Sequence, residues 1–410
     1  MSATAFIADL KIRAKELKAR SEFRTLNSVT AYTGRYVWIE GIRYLNVGSN
    51  DYLGLSVNAA LIARVRSYLD KGTGNCSSRL ILGNSTLYRQ VEDLIAEWKD
   101  MDRALVLSSG YAINVAVMQS LAVSQRRTIF LFDRLVHASM IDGVRATGKK
   151  WESFKHNDLI DLERLLIKYH NDKEVWHIVV LTEAVFSMDG DLAPILDILM
   201  LAKKYDVLCY IDEAHALGVY GVEGSGFSRE FRFKDYPNVI SVGTFGKSVG
   251  VGGAYIAATS VMTEHFINTM RSFIYSTALA PVVLGTIFES IKIIRSHPEL
   301  GKSLIRKSIF LRKALKDELK HHTANPSIIH TEMLAATSPI IPVTVGSSEV
   351  ALALSNHLRR NGIWAPAIRP PTVRRNCARI RLSLNDLLLE SDLKDVVASI
   401  ADFFKNENVR

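Results

Sequence analysis

Lys247 stands in the run Thr244-Phe-Gly-Lys247-Ser-Val-Gly-Val-Gly-Gly253, between apolar stretches at 239–242 and 254–258 that read as buried strands. Glycines and small hydroxyls let a backbone approach a bound anion closely. A lysine in partly apolar surroundings loses its charge more easily and becomes a nucleophile able to form a Schiff base. A lysine on a surface loop is the plain alternative. Thirty-five residues earlier, Asp212-Glu-Ala-His215 follows the apolar run 207–211. A carboxylate at the end of a buried strand is costly unless it meets a cation, and a protonated pyridine nitrogen would be one. His215 is spaced to reach a phenolic oxygen on the same ring; a capped structural turn is the alternative.

Other candidates also follow apolar runs. His137 comes after 128–132 and carries a flat imidazole that can stack on an aromatic ring, although a lone histidine is often structural. Gly110 and Tyr111 follow 104–107 and open a helix, whose first amides can hold a phosphate. Glu183-Ala-Val-Phe-Ser187 follows 177–181 and offers Ser187 as a hydrogen-bond donor, or forms only a turn.

These runs alternate with amphipathic segments, which implies an α/β fold with a mainly parallel sheet covered on both faces. In such sheets ligands sit at the carboxyl ends of the strands. Residues 1–48 read as a helix and hairpin, with Ile7, Leu10, Ala14 and Leu17 at helical spacing and Glu40-Gly41 in the turn. Residues 49–289 read as the large domain. Residues 290–410 read as a small α+β domain, with strands at 339–345, 363–368 and 378–384 and a polar, irregular stretch at 322–339.

The 410 residues are 48% hydrophobic and carry a formal net charge of +9. The basic residues are scattered and no nucleic-acid-binding signature accompanies them, so the charge suits acidic phosphorylated ligands or an acidic carrier protein better than nucleic acid. Cys76, Cys209 and Cys377 lack metal-ligand spacing and are odd in number, which argues for a reducing compartment without disulfides or bound metal. No apolar stretch is long enough to span a bilayer and no signal peptide is evident. The expected location is the cytoplasm.

The ordered set His137, Glu183/Ser187, Asp212-x-x-His215 and Thr244-Phe-Gly-Lys247 resembles the α-oxoamine synthase family of fold-type I pyridoxal phosphate enzymes. The likeness runs from Ser49-Asn-Asp-Tyr-Leu-Gly-Leu55 to Arg379-Ile-Arg381-Leu-Ser-Leu384. It implies pyridoxal 5′-phosphate on Lys247, with Asp212 at the ring nitrogen, His137 stacked on the ring, and Ser187 and His215 at its phenolic oxygen. Gly110, Tyr111 and Thr244 would hold the phosphate, joined by Ser276 and Thr277 from a second subunit of a homodimer. Arg381 would bind the amino acid's carboxylate. Arg24, Asn50, Arg369 and Thr372 are further substrate candidates, Arg24 being equally well read as a solvated surface arginine.

Within the family, Phe154-Lys-His156-Asn157-Asp158, Glu183 to Asp191, Ile274-Tyr-Ser276-Thr277 and Ile368-Arg369-Pro-Pro-Thr372-Val373 resemble the branch that joins L-alanine to a pimeloyl thioester, carried on CoA or acyl carrier protein, in biotin formation. Asn75-Cys-Ser-Ser-Arg79-Leu-Ile-Leu-Gly83 reads more like glycine C-acetyltransferase, and Arg374-Arg375 replaces a proline-containing turn. 5-Aminolevulinate synthase, serine palmitoyltransferase and autoinducer synthase activities therefore stay open. So do an aminotransferase-like reaction and a non-catalytic protein on the same fold.

Overall fold

The computed structural model describes residues 2–122, 127–320 and 337–406. Most of the polar stretch expected at 322–339 thus lies outside the described residues. In chain order, helix α1 (Ala3–Ala19) is followed by β1 (Val29–Tyr32), β2 (Tyr36–Ile39), β3 (Ile42–Asn46), α2 (Ala59–Val65) and α3 (Thr86–Lys99). Strands and helices then alternate as β4 (Arg103–Leu107), α4 (Gly110–Leu121), β5 (Arg127–Asp133), α5 (Ala138–Ala146), β6 (Lys150–Phe154), α6 (Leu159–His170), β7 (Val175–Glu183), α7 (Ile195–Lys204) and β8 (Leu208–Asp212). Next come β9 (Val239–Thr244), β10 (Ala254–Ala258), α8 (Ser260–Thr269), α9 (Arg271–Ile274), α10 (Pro281–Ser296) and α11 (Glu299–Leu319). The chain closes with β11 (Ile340–Gly346), α12 (Ser348–Arg360), β12 (Ile363–Trp364), β13 (Ala367–Ile368), β14 (Ala378–Ser383) and α13 (Glu390–Asn406).

The elements group into two units, one of residues 53–187 and 191–303, the other of residues 1–52, 188–190 and 304–410. In the first, seven strands run in the order β4-β10-β9-β8-β7-β5-β6. β10 is antiparallel to both its neighbours, and the pairs from β9 through β6 are parallel. Side chains alternate across the sheet. Phe130, Phe132, Val179 and Leu181 join one apolar cluster, whereas Ile129, Leu131, Ile178 and Val180 join another. Both faces are buried, which is why these strands are apolar throughout rather than alternating. β6 escapes that pattern. It lies at the sheet edge with mostly exposed residues, so Lys150-Trp-Glu-Ser-Phe154 has no apolar run.

In the second unit β2 and β3 form the expected hairpin, with Glu40 at φ +52° and Gly41 at φ +83°. Positive φ at both central residues matches the right-handed twist of the flanking strands. β3 pairs in parallel with β12 through Ile363↔Leu45, so the amino-terminal hairpin belongs with the carboxy-terminal elements instead of standing apart. The stretch 363–368 is two short strands, not one. β12 joins the hairpin's sheet and β13 joins β14, with Pro366 between them. Proline has no N–H for the ladder, so the chain changes sheets there. Helix α1 buries none of its residues; Phe6, Ile7 and Leu10 are about half exposed.

Candidate active site

A cavity of about 260 Å³ opens where β4, β5, β7, β8 and β9 end. Its lining includes Gly110, Tyr111, Asn114, His137, Glu183, Asp212, His215, Thr244 and Lys247. Each element delivers its residue by its terminus. Ser109 caps α4 by accepting from the Ala112 N–H at 3.4 Å, which leaves Gly110 in the first turn. A Cβ on Gly110 would lie 3.3 Å from the Thr244 Cβ, so the bare backbone keeps the gap between them open. His137 caps α5, with its Nδ1 2.7 Å from Ser139 Oγ. Thr244 Oγ1 donates to the Gly253 carbonyl at 3.0 Å and accepts from the Gly246 N–H at 3.2 Å, which fixes both ends of the lysine loop.

Asp212 is buried and accepts from the Asn114 side-chain amide at 3.0 Å and the Ala214 N–H at 2.9 Å. The same Asn114 amide donates to Ser139 Oγ at 2.9 Å, and Tyr210 Oη donates to Asn114 Oδ1. Asn114 therefore ties the aspartate to the histidine through Ser139. Both of these donors to Asp212 are neutral amides, which bring no positive charge to the carboxylate.

Glu183 lies across from Asp212 on the neighbouring strand. One of its oxygens accepts from the Ser187 N–H at 3.1 Å, and the other, Oε1, is buried without a hydrogen-bond partner among the described residues. Burial, and next the charge of Asp212, push the Glu183 carboxyl well above the ordinary value, against the pull of Lys247. Burial likewise lowers His137, helped by Lys247 and opposed by Asp212. The lowered value favours the uncharged imidazole.

The cavity fits pyridoxal phosphate. A helix amino terminus and a threonine border one another for an anion, and a buried carboxylate met by amides awaits a pyridinium N–H. An imidazole and an amine line the same cavity.

Ser187 is buried beside Glu183 but does not line the cavity. Ser276 and Thr277 lie away from it, Thr277 bridging to Ser78. In the other unit, buried Arg381 donates to Asn50 Oδ1 at 2.9 Å, as does Ser383 at 3.2 Å. Arg24 Nη2 donates to the Pro370 carbonyl at 3.0 Å and lies 3.5 Å from Thr372 Oγ1, while Arg369 Nη1 donates to the Ser21 carbonyl. Burial and the neighbouring Arg24 charge lower Arg369. The substrate candidates thus form two clusters, Asn50 with Arg381 and Arg24 with Arg369 and Thr372.

Sequence reasoning passed over Asn114 and Ser139. The available signal was Asn114 itself, one polar residue inside the apolar run Ile113-Asn-Val-Ala-Val117. Among the described residues no group of histidine, cysteine, aspartate and glutamate is placed to hold a metal, and no helix is long and apolar enough to cross a membrane.

Comparison with known proteins agrees with this architecture. The family model for class I and II aminotransferases matches residues 42–396. The chain is 37% identical over 377 residues to a protein of Acetivibrio thermocellus named "Putative 8-amino-7-oxononanoate synthase", covering 92% of each. Serine palmitoyltransferase from S. paucimobilis, solved with a bound PLP–myriocin aldimine, superposes with a TM-score of 0.84 at 24% identity over 98% of both chains. The 8-amino-7-oxononanoate synthase of Francisella tularensis gives 0.71 at 25% identity over 88% of this chain and 97% of that one. The chain belongs to the class I and II aminotransferase family and, within it, to the α-oxoamine synthases, acyltransferases that use pyridoxal 5′-phosphate.

Proposed function

We propose that the chain condenses L-alanine with a pimeloyl thioester, carried by CoA or acyl carrier protein, to give 8-amino-7-oxononanoate, carbon dioxide and the free thiol, a step of biotin biosynthesis. The observation that carries an acyl-transfer site is the meeting of Lys247, Asp212, His137 and His215 in one cavity at the strand ends. When bound, pyridoxal phosphate supplies an electron-withdrawing ring that stabilises negative charge at the amino acid's α-carbon.

The protein's part is to position groups and hold protons. Asp212 would hold the ring N–H, His137 would lie against the ring face, and Ser187 and His215 would hold its hydroxyl. Gly110, Tyr111 and Thr244 hold the phosphate, completed by Ser276 and Thr277 from a second copy of the chain in a homodimer. Lys247 would bind the cofactor, and its Nζ would take the α-proton as general base. Arg381 and Asn50 hold the amino acid's carboxylate, a task suited to a guanidinium. A new carbon–carbon bond then joins the α-carbon to the acyl carbonyl as the thiol leaves, and the carboxylate departs as carbon dioxide.

Arg24, Arg369 and Thr372 support a dicarboxylic acyl chain. Two guanidiniums in one cluster, repelling each other, suit a terminal carboxylate. The cytoplasm is the corresponding compartment.

The 75–83 segment favours glycine and acetyl-CoA as a second reading. Crossing alanine, glycine and serine with acetyl, pimeloyl and palmitoyl thioesters, with carbon dioxide release followed, separates the two. Alanine with the pimeloyl thioester is expected to turn over fastest; release only with glycine and acetyl-CoA would overturn the assignment. Replacing Asp212 with asparagine tests the ring-nitrogen contact. A close charge pair at an effective dielectric near 20 is worth about 4 kcal/mol, roughly 10³-fold in affinity. Equilibrium dialysis against pyridoxal phosphate is expected to show a loss approaching that size, and unchanged affinity would remove Asp212 from this role.

A further inference from the structure

His156 follows β6 and belongs to the motif Phe154-Lys-His156-Asn157-Asp158, which the mechanism leaves without a role. Its Nδ1 lies 3.0 and 3.1 Å from the two oxygens of Asp133, and its Nε2 lies 2.6 Å from Asp191 Oδ2. A neutral imidazole has one N–H, so donating to a carboxylate at each nitrogen requires the imidazolium. The ring stands edge-on to Phe186, centroids 4.4 Å apart.

Each carboxylate governs a different segment. Asp133 ends β5, is fully buried, and accepts from the Leu135 N–H at 2.8 Å and the Asn157 N–H at 2.8 Å. It thereby fixes the short run that ends at His137. Asp191 accepts from the Asn157 amide at 2.8 Å, and its carbonyl accepts from the Phe186 N–H at 2.9 Å. Ser187 is the next residue. One imidazolium thus ties the run carrying His137 to the loop carrying Ser187.

We propose that His156, shared as an imidazolium between Asp133 and Asp191, is a positioning residue that sets Ser187 and His137 relative to each other around the bound cofactor ring. This rests on the reading of Ser187 and His137 as cofactor contacts. Burial works against the charge, but the hydrogen bonds to Asp133 and Asp191 outweigh it and raise His156 to about 10 from an ordinary 6.5. A raised value gives stability that is complete below pH 6.5 and lost as the pH climbs towards 10. Asp133 and Asp191 supply the negative charge facing the ring, and Phe186 supplies an apolar edge.

The experiment uses the purified full chain with pyridoxal phosphate. Dissociation constants come from absorbance titration, and the visible spectrum of the bound cofactor is followed with pH. His156→Gln is expected to weaken binding about tenfold or more and to move the spectrum in the direction that Ser187→Ala moves it. The double variant is expected to be no worse than the worse single one. Asp191→Asn, which weakens the Ser187 arm and leaves the Asp133 carboxylate in place, is expected to move the spectrum the same way by less, and it carries the test should His156→Gln not fold.

Thermal melting should fall more steeply between pH 6.5 and 10 in the wild type than in His156→Gln. A lowered melting temperature with wild-type affinity and spectrum would make the cluster structural only and overturn the proposal. Fully additive effects in the double variant would do the same. If Ser187→Ala itself leaves the spectrum unchanged, the reading of Ser187 fails and the proposal with it. If Ser187→Ala shifts the spectrum and the His156 and Asp191 variants do not, the proposal alone fails.

Discussion

Replacing Lys247 with alanine is expected to lower turnover by about 10⁴-fold while leaving the melting temperature nearly unchanged. The lysine is assigned both the covalent hold on the cofactor and the proton transfer at the α-carbon, and among the described residues no other amine lines the cavity. Backbone hydrogen bonds hold the loop's shape. Phe245 N–H donates to the Gly253 carbonyl at 2.9 Å, Gly250 N–H to the Lys247 carbonyl at 2.9 Å, and Val251 N–H to the Phe245 carbonyl at 3.1 Å. All three are backbone bonds and survive the substitution. Borohydride should attach pyridoxal phosphate to the wild type and not to the variant. Appreciable turnover by the variant, or attachment of the cofactor to it, would move the chemistry to another residue.

Replacing Lys99 with methionine is expected to cost the fold about 3–5 kcal/mol in urea unfolding. Asp212 and Glu213 are successive, so the pleat sends their side chains to opposite faces. Asp212 enters the cavity, while Glu213 points into the layer beneath. There Lys99 Nζ meets Glu213 Oε2 at 2.5 Å with neither side chain exposed. Burial pulls the Lys99 ammonium below its ordinary value, and Glu213 opposes this.

Glu213 also accepts from Ser241 Oγ at 2.5 Å and the Phe227 N–H at 2.6 Å, and Lys99 donates to the Ser225 carbonyl. Gly226, at φ +76°, is where a Cβ would meet Glu213 Oε1 at 2.4 Å, so only glycine lets the carboxylate in. Removing the lysine leaves a buried carboxylate uncompensated. Removing both partners, as Lys99→Met with Glu213→Leu, is expected to recover a large part of the loss. If the single variant unfolds at the wild-type urea midpoint, the pair contributes nothing to stability.

Much of the large unit was legible because its strands are buried on both faces. Continuous runs such as Thr128-Ile-Phe-Leu-Phe132 have few alternatives, and residues just after them fall at the end of the sheet where ligands collect. His137, Asp212 and Lys247 were found on that logic together with the family resemblance, and they line one cavity. β6 was not found because an edge strand need not be apolar. Asn114 was hidden by its apolar helix, and Glu213 by its more conspicuous neighbour. The division into units depends on β3 meeting β12, residues 45 and 363, and no local pattern encodes a pairing that distant. The split between β12 and β13 was signalled by Pro366, whose missing N–H interrupts a ladder.

The antiparallel return of β10 has a consequence for how the site assembles. Parallel partners in this sheet are separated by longer crossovers, whereas β9 and β10 pair across a loop of nine residues, Thr244 opposite Ala254. Loop-closure entropy grows with length, and pairings between nearby segments form fastest. The lysine-bearing hairpin is therefore the strand pair of this sheet that closes most readily during folding. Asp212, one parallel pairing away, lies across the longer connection 213–238, whose closure costs more entropy. On that ordering the amine would be in place before the carboxylate that is to work with it, and a partly folded chain would carry the nucleophile without the means to activate a cofactor.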